Sequence, residues 1–293
     1  MSDKLGFGIV GLGQRAERHA ESISRLNGCC LAAVCSRKLD KAAEFASRHG
    51  SPKIYDEVEY LLDDEQVDVV VLSTPNSLHL QHAAMIAKTG RSLIIECPLE
   101  TTLERVENLL SIVEDEGVFI SSPAEVIFSD ECINAKAAID DGRLGKVLSG
   151  KLDIFPHSDI YNRASSWKCN PELSGGRIDI LDSYSEMLLL CHLFGPVTKL
   201  DKINDSSYRA YFDRDTSIEI NFKAPDGLRH SKFSISGDKG AVSISSDTFK
   251  ARKSNRNDLD SFYGSYISSL EDGIDMMIGS NLIFNGTKLL NLL

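Results

Sequence analysis

The chain has 293 residues, of which 42% are hydrophobic and 26% are charged, and its formal net charge at pH 7 is −11. This composition is typical of a soluble globular protein of about two domains, and no apolar run approaches the ~20 residues of a transmembrane helix. The negative charge argues against nucleic acid and against anionic membrane surfaces as partners, and a small anionic ligand would need a local cluster of basic residues.

The first 123 residues alternate short apolar runs with amphipathic stretches of helical length. Strands are predicted at residues 5–10, 31–35, 67–72, 92–96 and 118–121, and helices at 15–26, 40–49, 78–89 and 103–116. The run at 67–72 is apolar throughout, as in parallel strands that are buried on both faces. Strands that alternate with helices predict βαβ units. We therefore expect residues 1–123 to form an α/β Rossmann domain with a doubly wound parallel sheet of about six strands.

After Pro123 the pattern changes to closely spaced strands with short turns between them. Strands are predicted at residues 146–155, 199–204, 208–212, 217–222, 231–236 and 240–245, and helices at 129–141, 180–194 and 276–293. The helix at 180–194 is expected to end at Gly195-Pro196, because both residues are common after helix C-termini. We therefore expect residues 124–293 to form an α+β domain with a mostly antiparallel sheet, for substrate binding and oligomerisation.

The seven cysteines are an odd number, and none of them forms a C-x-x-C pair. This pattern indicates neither a disulfide framework nor a metal site, so no metal is predicted. The first residues lead directly into a strand pattern without the form of a signal peptide. Together these features favour a cytoplasmic protein with reduced thiols.

A glycine-rich loop follows the first predicted strand and opens the first helix. It is the G-x-G-x-x-A segment Gly11-Leu12-Gly13-Gln14-Arg15-Ala16. In a dinucleotide-binding loop the first glycine permits the tight turn and the second lets the pyrophosphate approach the backbone. The phosphates then lie at the helix N-terminus. The alternative is a turn that needs glycine for structural reasons alone, but the strand–loop–helix–strand context favours nucleotide binding.

The end of the second strand predicts which dinucleotide is bound. An NAD(H) site places Asp or Glu there for the ribose 2′-hydroxyl, whereas this chain has Ser36-Arg37-Lys38. A small neutral residue followed by two cations suits a 2′-phosphate, so we predict NADP(H) rather than NAD(H), with Arg15 as a third cation. Alternatively, Arg37 and Lys38 are solvated residues before a helix that Asp40 caps.

Further segments resemble the Gfo/Idh/MocA oxidoreductase family, which includes glucose–fructose oxidoreductase, inositol dehydrogenase and, more distantly, biliverdin reductase. The similar segments are residues 8–13 with His19-Ala20, 73–79, 95–99, 141–147, 174–176 and 193–197. The resemblance implies hydride transfer between nicotinamide C4 and a carbon of a small molecule, usually a sugar, a polyol or its carbonyl form. It also implies a homodimer or higher homo-oligomer that forms through the outer face of the second sheet.

The resemblance also implies where the cofactor lies. The implied cofactor-binding residues outside the first two strands are Thr74, Pro75, Asn76, His79, Glu96, Cys97 and Trp167. His79 and Glu96 would shape the nicotinamide end, although a structural histidine at a helix start is an alternative for His79. Trp167, the only tryptophan, would stack on nicotinamide or substrate, and simple packing is its alternative.

The chain departs from the family at the residues that move protons. The lysine of the family's E-K-P motif is replaced by Cys97, and ungapped alignment of its D-x-x-x-H motif gives Leu181 and Ser185. Shifting the alignment by one residue offers Asp182 and Glu186, still without a histidine. A thiol with an ordinary pKa near ~8.5 does not replace an ammonium, so Cys97 more simply lines the nicotinamide pocket than acts as a nucleophile.

An altered acid/base set follows from these departures. The candidate catalytic residues are Tyr161 and Asp182, with Tyr184 and His157 behind them. We therefore predict an NADP(H)-dependent oxidoreductase that acts on a small molecule and relies on orientation more than on a proton relay. The alternative is a catalytically idle relative that binds NADP(H) or a sugar-like ligand and serves as a sensor or a partner-binding protein.

Overall fold

The computed structural model describes residues 4–155, 167–176, 182–224, 230–244 and 256–293. The chain forms two compact units. The first comprises Met1–Pro123, Glu172–Gly175 and Leu259–Ser280, and the second comprises Ala124–Pro171, Gly176–Asp258 and Asn281–Leu293. Compared with the predicted division into 1–123 and 124–293, a late segment of the chain returns to the first unit.

The described strands form two sheets. Those of the first unit are β1 (Leu5–Val10), β2 (Cys29–Cys35), β3 (Lys53–Tyr55), β4 (Val69–Leu72), β5 (Ser92–Ile95) and β6 (Ile120–Ser121). Those of the second unit are β7 (Val147–Phe155), β8 (Val197–Asn204), β9 (Ser207–Phe212), β10 (Thr216–Phe222), β11 (His230–Gly237) and β12 (Ala241–Ile244).

The described helices occupy both units. They are α1 (Gln14–Arg25), α2 (Leu39–Arg48), α3 (Val58–Leu62), α4 (His79–Ala87), α5 (Leu103–Asp115), α6 (Asp130–Asp140), α7 (Pro171–Ser174), α8 (Tyr184–Phe194), α9 (Arg256–Asp272) and α10 (Ser280–Leu292). A short 3₁₀ turn, Asn76–Leu78, precedes α4. Among the described residues, no helix is long and apolar enough to cross a membrane.

The sheet of the first unit confirms the predicted doubly wound fold. Its strands are parallel and run in the order β3-β2-β1-β4-β5-β6. The apolar run that predicted β4 is buried on both faces, since Val69, Val70 and Val71 have no exposed surface. Because the chain leaves β1 towards β2 on one side and reaches β4 on the other, the carboxyl ends of β1 and β4 form the switch point where ligands bind in such sheets.

Three local predictions in the first unit were wrong or incomplete. The strand β3 was missed because it has only three residues and lies at the sheet edge, where Lys53 and Ile54 are exposed. The following short helix α3 was missed with it. Helix α2 begins at Leu39 after Lys38, so Asp40 lies in the first turn instead of capping the helix. A carboxylate in that position still interacts favourably with the positive end of the helix dipole.

The sheet of the second unit is mostly antiparallel, as predicted. The strand order of this sheet is β12-β11-β7-β10-β9-β8. Among its described strands, β7 and β10 are the only pair that runs in parallel. In β11 the buried residues Phe233 and Ile235 alternate with exposed Lys232 and Ser234. This alternation gives the sheet one face towards the core and one face towards solvent.

Two helices near the C-terminus differ from the prediction. Helix α9 was not predicted, although its buried residues Leu259, Phe262, Tyr263 and Tyr266 have the i, i+3, i+4, i+7 spacing of one helix face. The polar residues among them hid that pattern. The last helix, predicted at residues 276–293, is α10 (Ser280–Leu292).

The core of the second unit yields a stability prediction on a single strand. Leu152 of β7 is fully buried, whereas Leu148 of the same strand is 66% exposed. We expect Leu152→Ala to lower the free energy of unfolding by about 2–5 kcal/mol, since it leaves a cavity. Leu148→Ala should change it by less than ~0.5 kcal/mol. Denaturant unfolding of both variants measures this, and equal losses would contradict the assigned core.

Candidate functional site

The fold requires the first glycine of the glycine loop but not the second. Gly11 has a φ of +89°, and a Cβ there would lie 2.8 Å from the backbone carbonyl of Ser73. Gly13 has an extended backbone, and a Cβ there would meet no atom within 4 Å. As the N-cap of α1, Gly13 also offers no side chain to the amides of the first turn. The loop therefore leaves open space at a helix N-terminus, which is a ready site for an anion.

Two exposed cations stand at the end of β2. The backbone N–H of Ser36 donates to the carbonyl of Tyr55 over 3.0 Å, which fixes the turn after the strand. Arg37 and Lys38 are exposed, and neither forms an ion pair within the described part of the chain. An acidic side chain for a ribose 2′-hydroxyl is missing at this position, and two positive charges are available to a ligand instead.

His79 contacts the backbone of the loop that follows β4. The ring of His79 is fully buried, with Nδ1 2.8 Å from the carbonyl oxygen of Leu99 and Nε2 2.9 Å from that of Thr74. Burial lowers the pKa of His79, against the effect of these carbonyls. Asn76 is also buried. The geometry gives His79 the role of a brace for the loop that contains Pro75, in line with the structural alternative.

The hydroxyl of Thr74 is the unpaired group of this loop. Thr74 Oγ1 is buried and has no hydrogen-bond partner. An unsatisfied buried hydroxyl is costly, so such a group commonly marks a place where a ligand or an ordered water binds. Its loop abuts the glycine loop, as the short distance from a Gly11 Cβ shows.

A buried carboxylate lies at the end of β5. Oε1 of Glu96 accepts hydrogen bonds from Arg15 Nε over 2.8 Å and from His19 Nε2 over 2.6 Å. The other ring nitrogen of His19, Nδ1, lies 2.7 Å from the hydroxyl of Tyr263 on α9. Burial opposes ionisation, but the Arg15 charge and the His19 hydrogen bond outweigh it and lower the pKa of Glu96 to about 2. We call Arg15, His19, Glu96 and Tyr263 the Glu96 network.

The Glu96 network gives Arg15 a partner within the chain. Its guanidinium binds Glu96 through Nε, and its role as a third cation for a 2′-phosphate stays a prediction. The spacing of Arg15 and His19, four residues apart on α1, places both on one face of the helix and was the available clue. Tyr263, which completes the network, had no clue in its surrounding sequence.

Cys97 is a hydrogen-bond donor rather than an activated nucleophile. Its sulfur lies 2.9 Å from Ser122 Oγ, and that hydroxyl donates its proton to the carbonyl of Ile95 over 2.7 Å. Because the single proton of Ser122 is already used, the thiol of Cys97 must donate to Ser122. A half-buried neutral thiol in this position supports the interpretation of Cys97 as a lining residue.

The second unit pairs one catalytic candidate with a lysine. Oδ1 of Asp182 accepts a hydrogen bond from Lys168 Nζ over 2.9 Å, and Lys168 follows the half-buried Trp167. The sequence interpretation missed Lys168. The other foremost candidate, Tyr161, lies outside the described residues, as does His157.

The remaining candidate residues of the second unit form hydrogen bonds inside that unit. Ser185, at the family's histidine position, donates to Glu186 Oε2 over 3.0 Å. Glu186 is fully buried and accepts a second hydrogen bond from Ser231 over 2.7 Å. Tyr184 is buried too, and its hydroxyl lies 3.2 Å from the carbonyl oxygen of Ile283. Tyr184 is therefore corrected from a candidate acid to a packing residue.

The charge of Glu96 predicts a pH-dependent contribution to stability. Its lowered pKa stabilises the folded state above pH ~5 by about 3 kcal/mol, and this contribution is lost as the pH falls towards 2. We expect Glu96→Gln to be clearly less stable than the parent at pH 7, and the gap to narrow by pH 3. Denaturant unfolding across this range measures the gap.

The matched control is Asp201→Asn, which removes an exposed carboxylate paired with Lys199. It should change the stability little at any pH, since exposed ion pairs contribute weakly. A gap for Glu96→Gln that stays constant from pH 7 to pH 3 would contradict the ionised, buried state of Glu96.

Comparison with known proteins places this chain among oxidoreductases. The family model described as "Oxidoreductase family, NAD-binding Rossmann fold" matches residues 5–122. Oxidoreductase P35 of Formosa agariphila is 25% identical over 261 residues, covering 84% of this chain and 80% of that protein. The scyllo-inositol 2-dehydrogenase (NADP(+)) IolU of Bacillus subtilis is 23% identical over 257 residues, covering 82% and 76% of the two chains.

The fold is shared along nearly the whole chain. The crystal structure of the WlbA dehydrogenase from Bordetella pertussis, in complex with NADH and UDP-GlcNAcA, aligns with a TM-score of 0.85 at 19% identity. The alignment covers 98% of this chain and 93% of that one. The expected fold is thus confirmed along the chain. Residues 5–122, within the first unit, match the model of the Gfo/Idh/MocA oxidoreductase family and its NAD-binding Rossmann fold, as the resemblance implied.

Proposed function

We propose that the protein is an NADP(H)-dependent oxidoreductase that acts on a small molecule with an altered acid/base set. The observation that carries the NADP(H) preference is the pair of exposed cations after β2, Arg37 and Lys38, with no acidic residue beside Ser36. Relatives include both cofactor types: the Bacillus subtilis protein is named for NADP(+), and the Bordetella pertussis structure contains NADH. The choice must therefore be made by this chain's own residues.

The residues of the glycine loop and of β2 fit a dinucleotide phosphate. The open space at Gly13 and the uncapped N-terminus of α1 suit the pyrophosphate, with Gly11 holding the turn. Arg37 and Lys38 would bind the 2′-phosphate, for which a planar guanidinium can donate two parallel hydrogen bonds. Since the chain carries a net charge of −11, this local positive cluster is needed to attract an anion. The unpaired hydroxyl of Thr74 supports a ligand beside the same loop.

The bound nicotinamide would supply or accept the hydride, and the chain must then manage a proton. Glu96 is ionised and buried, and the Cys97 thiol is bound to Ser122, so neither is suited to donate a proton to a substrate. Tyr161 and Asp182 remain the proposed acid/base candidates. In the contact between the side chains of Asp182 and Lys168, Lys168 Nζ is the hydrogen-bond donor and Asp182 Oδ1 the acceptor.

We assign the proton transfer of the second unit to this Lys168–Asp182 pair. When a carbonyl compound is reduced, its oxygen gains the electron pair of the broken π bond, and Lys168 would donate a proton to it. When the corresponding alcohol is oxidised, the neutral amine would take that proton back. Asp182 would orient the ammonium and balance its charge. Such proton transfer typically contributes 10²–10⁴-fold to the rate.

The partner and location of the protein stay predictions. A homodimer or higher homo-oligomer through the outer face of the second sheet is expected from the family resemblance, and a cytoplasmic location from the cysteine pattern. The seven cysteines are free thiols in the structure, four of them buried.

The cofactor proposal predicts a selective loss of affinity. Arg37→Ala should raise the Kd for NADPH about tenfold or more and leave the Kd for NADH nearly unchanged, because only NADPH has the 2′-phosphate. Fluorescence titration with both dinucleotides measures this. The control is Arg48→Ala, which removes the same charge from the far end of α2, where Arg48 pairs with Glu17. Equal effects of Arg37→Ala on both dinucleotides, or none on either, would refute the assignment.

The acid/base proposal predicts a loss in turnover without a loss in cofactor binding. Lys168→Met should lower kcat at least ~100-fold with an unchanged Kd for NADPH. NADPH consumption is followed with carbonyl, imine and conjugated substrates. Lys136→Met, which breaks another lysine–aspartate pair of the second unit, is the control and should retain activity. Full activity of Lys168→Met would exclude Lys168. NADPH binding by the parent protein without turnover of any substrate would favour the idle alternative.

A further inference from the structure

Helix α9 reaches the glycine loop through the Glu96 network. Arg15 and His19 lie one turn apart on α1, and a single carboxylate oxygen of Glu96 receives both, over 2.8 and 2.6 Å. Arg15 is the second residue of α1, directly after Gln14 and two residues after Gly13. The carboxylate therefore fixes the first turn of the helix whose N-terminus forms the proposed phosphate site.

The protons in the network have a defined direction. Because the pKa of Glu96 is about 2, its carboxylate only accepts, so Nε2 of His19 carries the proton between them. Burial raises the pKa of Tyr263 well above its usual value, so Tyr263 keeps its proton. In the neutral imidazole with its one proton on Nε2, Nδ1 is an acceptor, and the Tyr263 hydroxyl donates to it over 2.7 Å. The order is hydroxyl to imidazole to carboxylate, with the guanidinium of Arg15 on the same carboxylate oxygen.

The hydroxyl of Tyr263 thereby limits what His19 can do. Without it, Nδ1 of His19 would be a buried acceptor with no donor, and unsatisfied buried groups are costly. The ring would then turn towards another partner for Nδ1, and a turned ring would no longer donate to the oxygen of Glu96. The hold of Glu96 on Arg15 changes as a result.

We propose that Tyr263 and His19 are positioning residues for dinucleotide binding, which act through Glu96 to fix Arg15 at the glycine loop. The inference rests on the proposed binding of a dinucleotide by this chain. It extends that proposal by making affinity depend on Tyr263 of α9, which lies 244 residues beyond His19 in the sequence. Arg15 is a third exposed, so its guanidinium borders the solvent from which the phosphates arrive.

The hydroxyl of Tyr263 is not needed for the packing of its ring. The ring of Tyr263 packs edge-on against Phe7 and Phe262, with centroids 5.5 Å apart in each pair, which phenylalanine would do equally well. Tyr266, about one turn further along α9, is equally buried, but its hydroxyl makes no hydrogen bond to the Glu96 network. The two tyrosines thus differ in the single contact that the proposal needs.

The test compares Tyr263→Phe with Tyr266→Phe by fluorescence titration of the whole protein with NADPH and with NADH. Tyr263→Phe should raise both Kd values about tenfold, since Arg15 stands at the pyrophosphate that both dinucleotides share. Tyr266→Phe should leave both within twofold of the parent. Thermal unfolding of each variant confirms that it is folded at the titration temperature. Equal losses in the two variants, or no loss in Tyr263→Phe, would overturn the proposal.

A double-mutant cycle separates positioning from general stability. Arg15→Ala removes the group that is positioned, so adding Tyr263→Phe to it should cost less than twofold more. Losses that multiply fully would show that Tyr263 acts independently of Arg15 and would overturn the inference. Failure of the parent protein to bind either dinucleotide would instead refute the proposed function itself. The readout is binding, so it does not depend on knowing the substrate.

Discussion

The paired, ionised carboxylate of Glu96 is the constraint on which the first unit depends. Burying an anion is costly, and it is tolerated here because Arg15 and His19 both donate to it. These bonds tie the end of β5 to the first turns of α1. Through Tyr263 they also tie a helix from the C-terminal region to the same point. The Glu96 network thus connects the glycine loop, the central sheet and α9.

In the proposed dinucleotide site, the backbone and the side chains suit different parts of the ligand. The open backbone at Gly13 and the amides of α1 suit the part that all dinucleotides share, whereas Arg37 and Lys38 suit the part that distinguishes NADPH. On the catalytic side, the resemblance implies that Cys97 takes the place of the family's lysine. We therefore propose that the Lys168–Asp182 pair supplies the proton instead.

The sequence predicted what is local in the fold. The glycine loop, the buried strand β4 and the alternating strands of the second sheet all have patterns within a few residues, and the structure contains them. What it could not predict depends on distant contacts. The partner of Arg15 is at position 96, and His19 meets a tyrosine 244 residues away. Helix α9 joins the first unit for the same reason, since its apolar face matches a surface that only the folded sheet provides.

The central claim is that the site after β2 selects the 2′-phosphate. The most direct measurement is a titration of the unaltered protein with NADPH and with NADH at one moderate ionic strength, since salt screens the exposed cations. The account predicts that NADPH binds at least tenfold more tightly, and that raising the salt concentration narrows the difference. Equal affinities, or tighter binding of NADH, would contradict it.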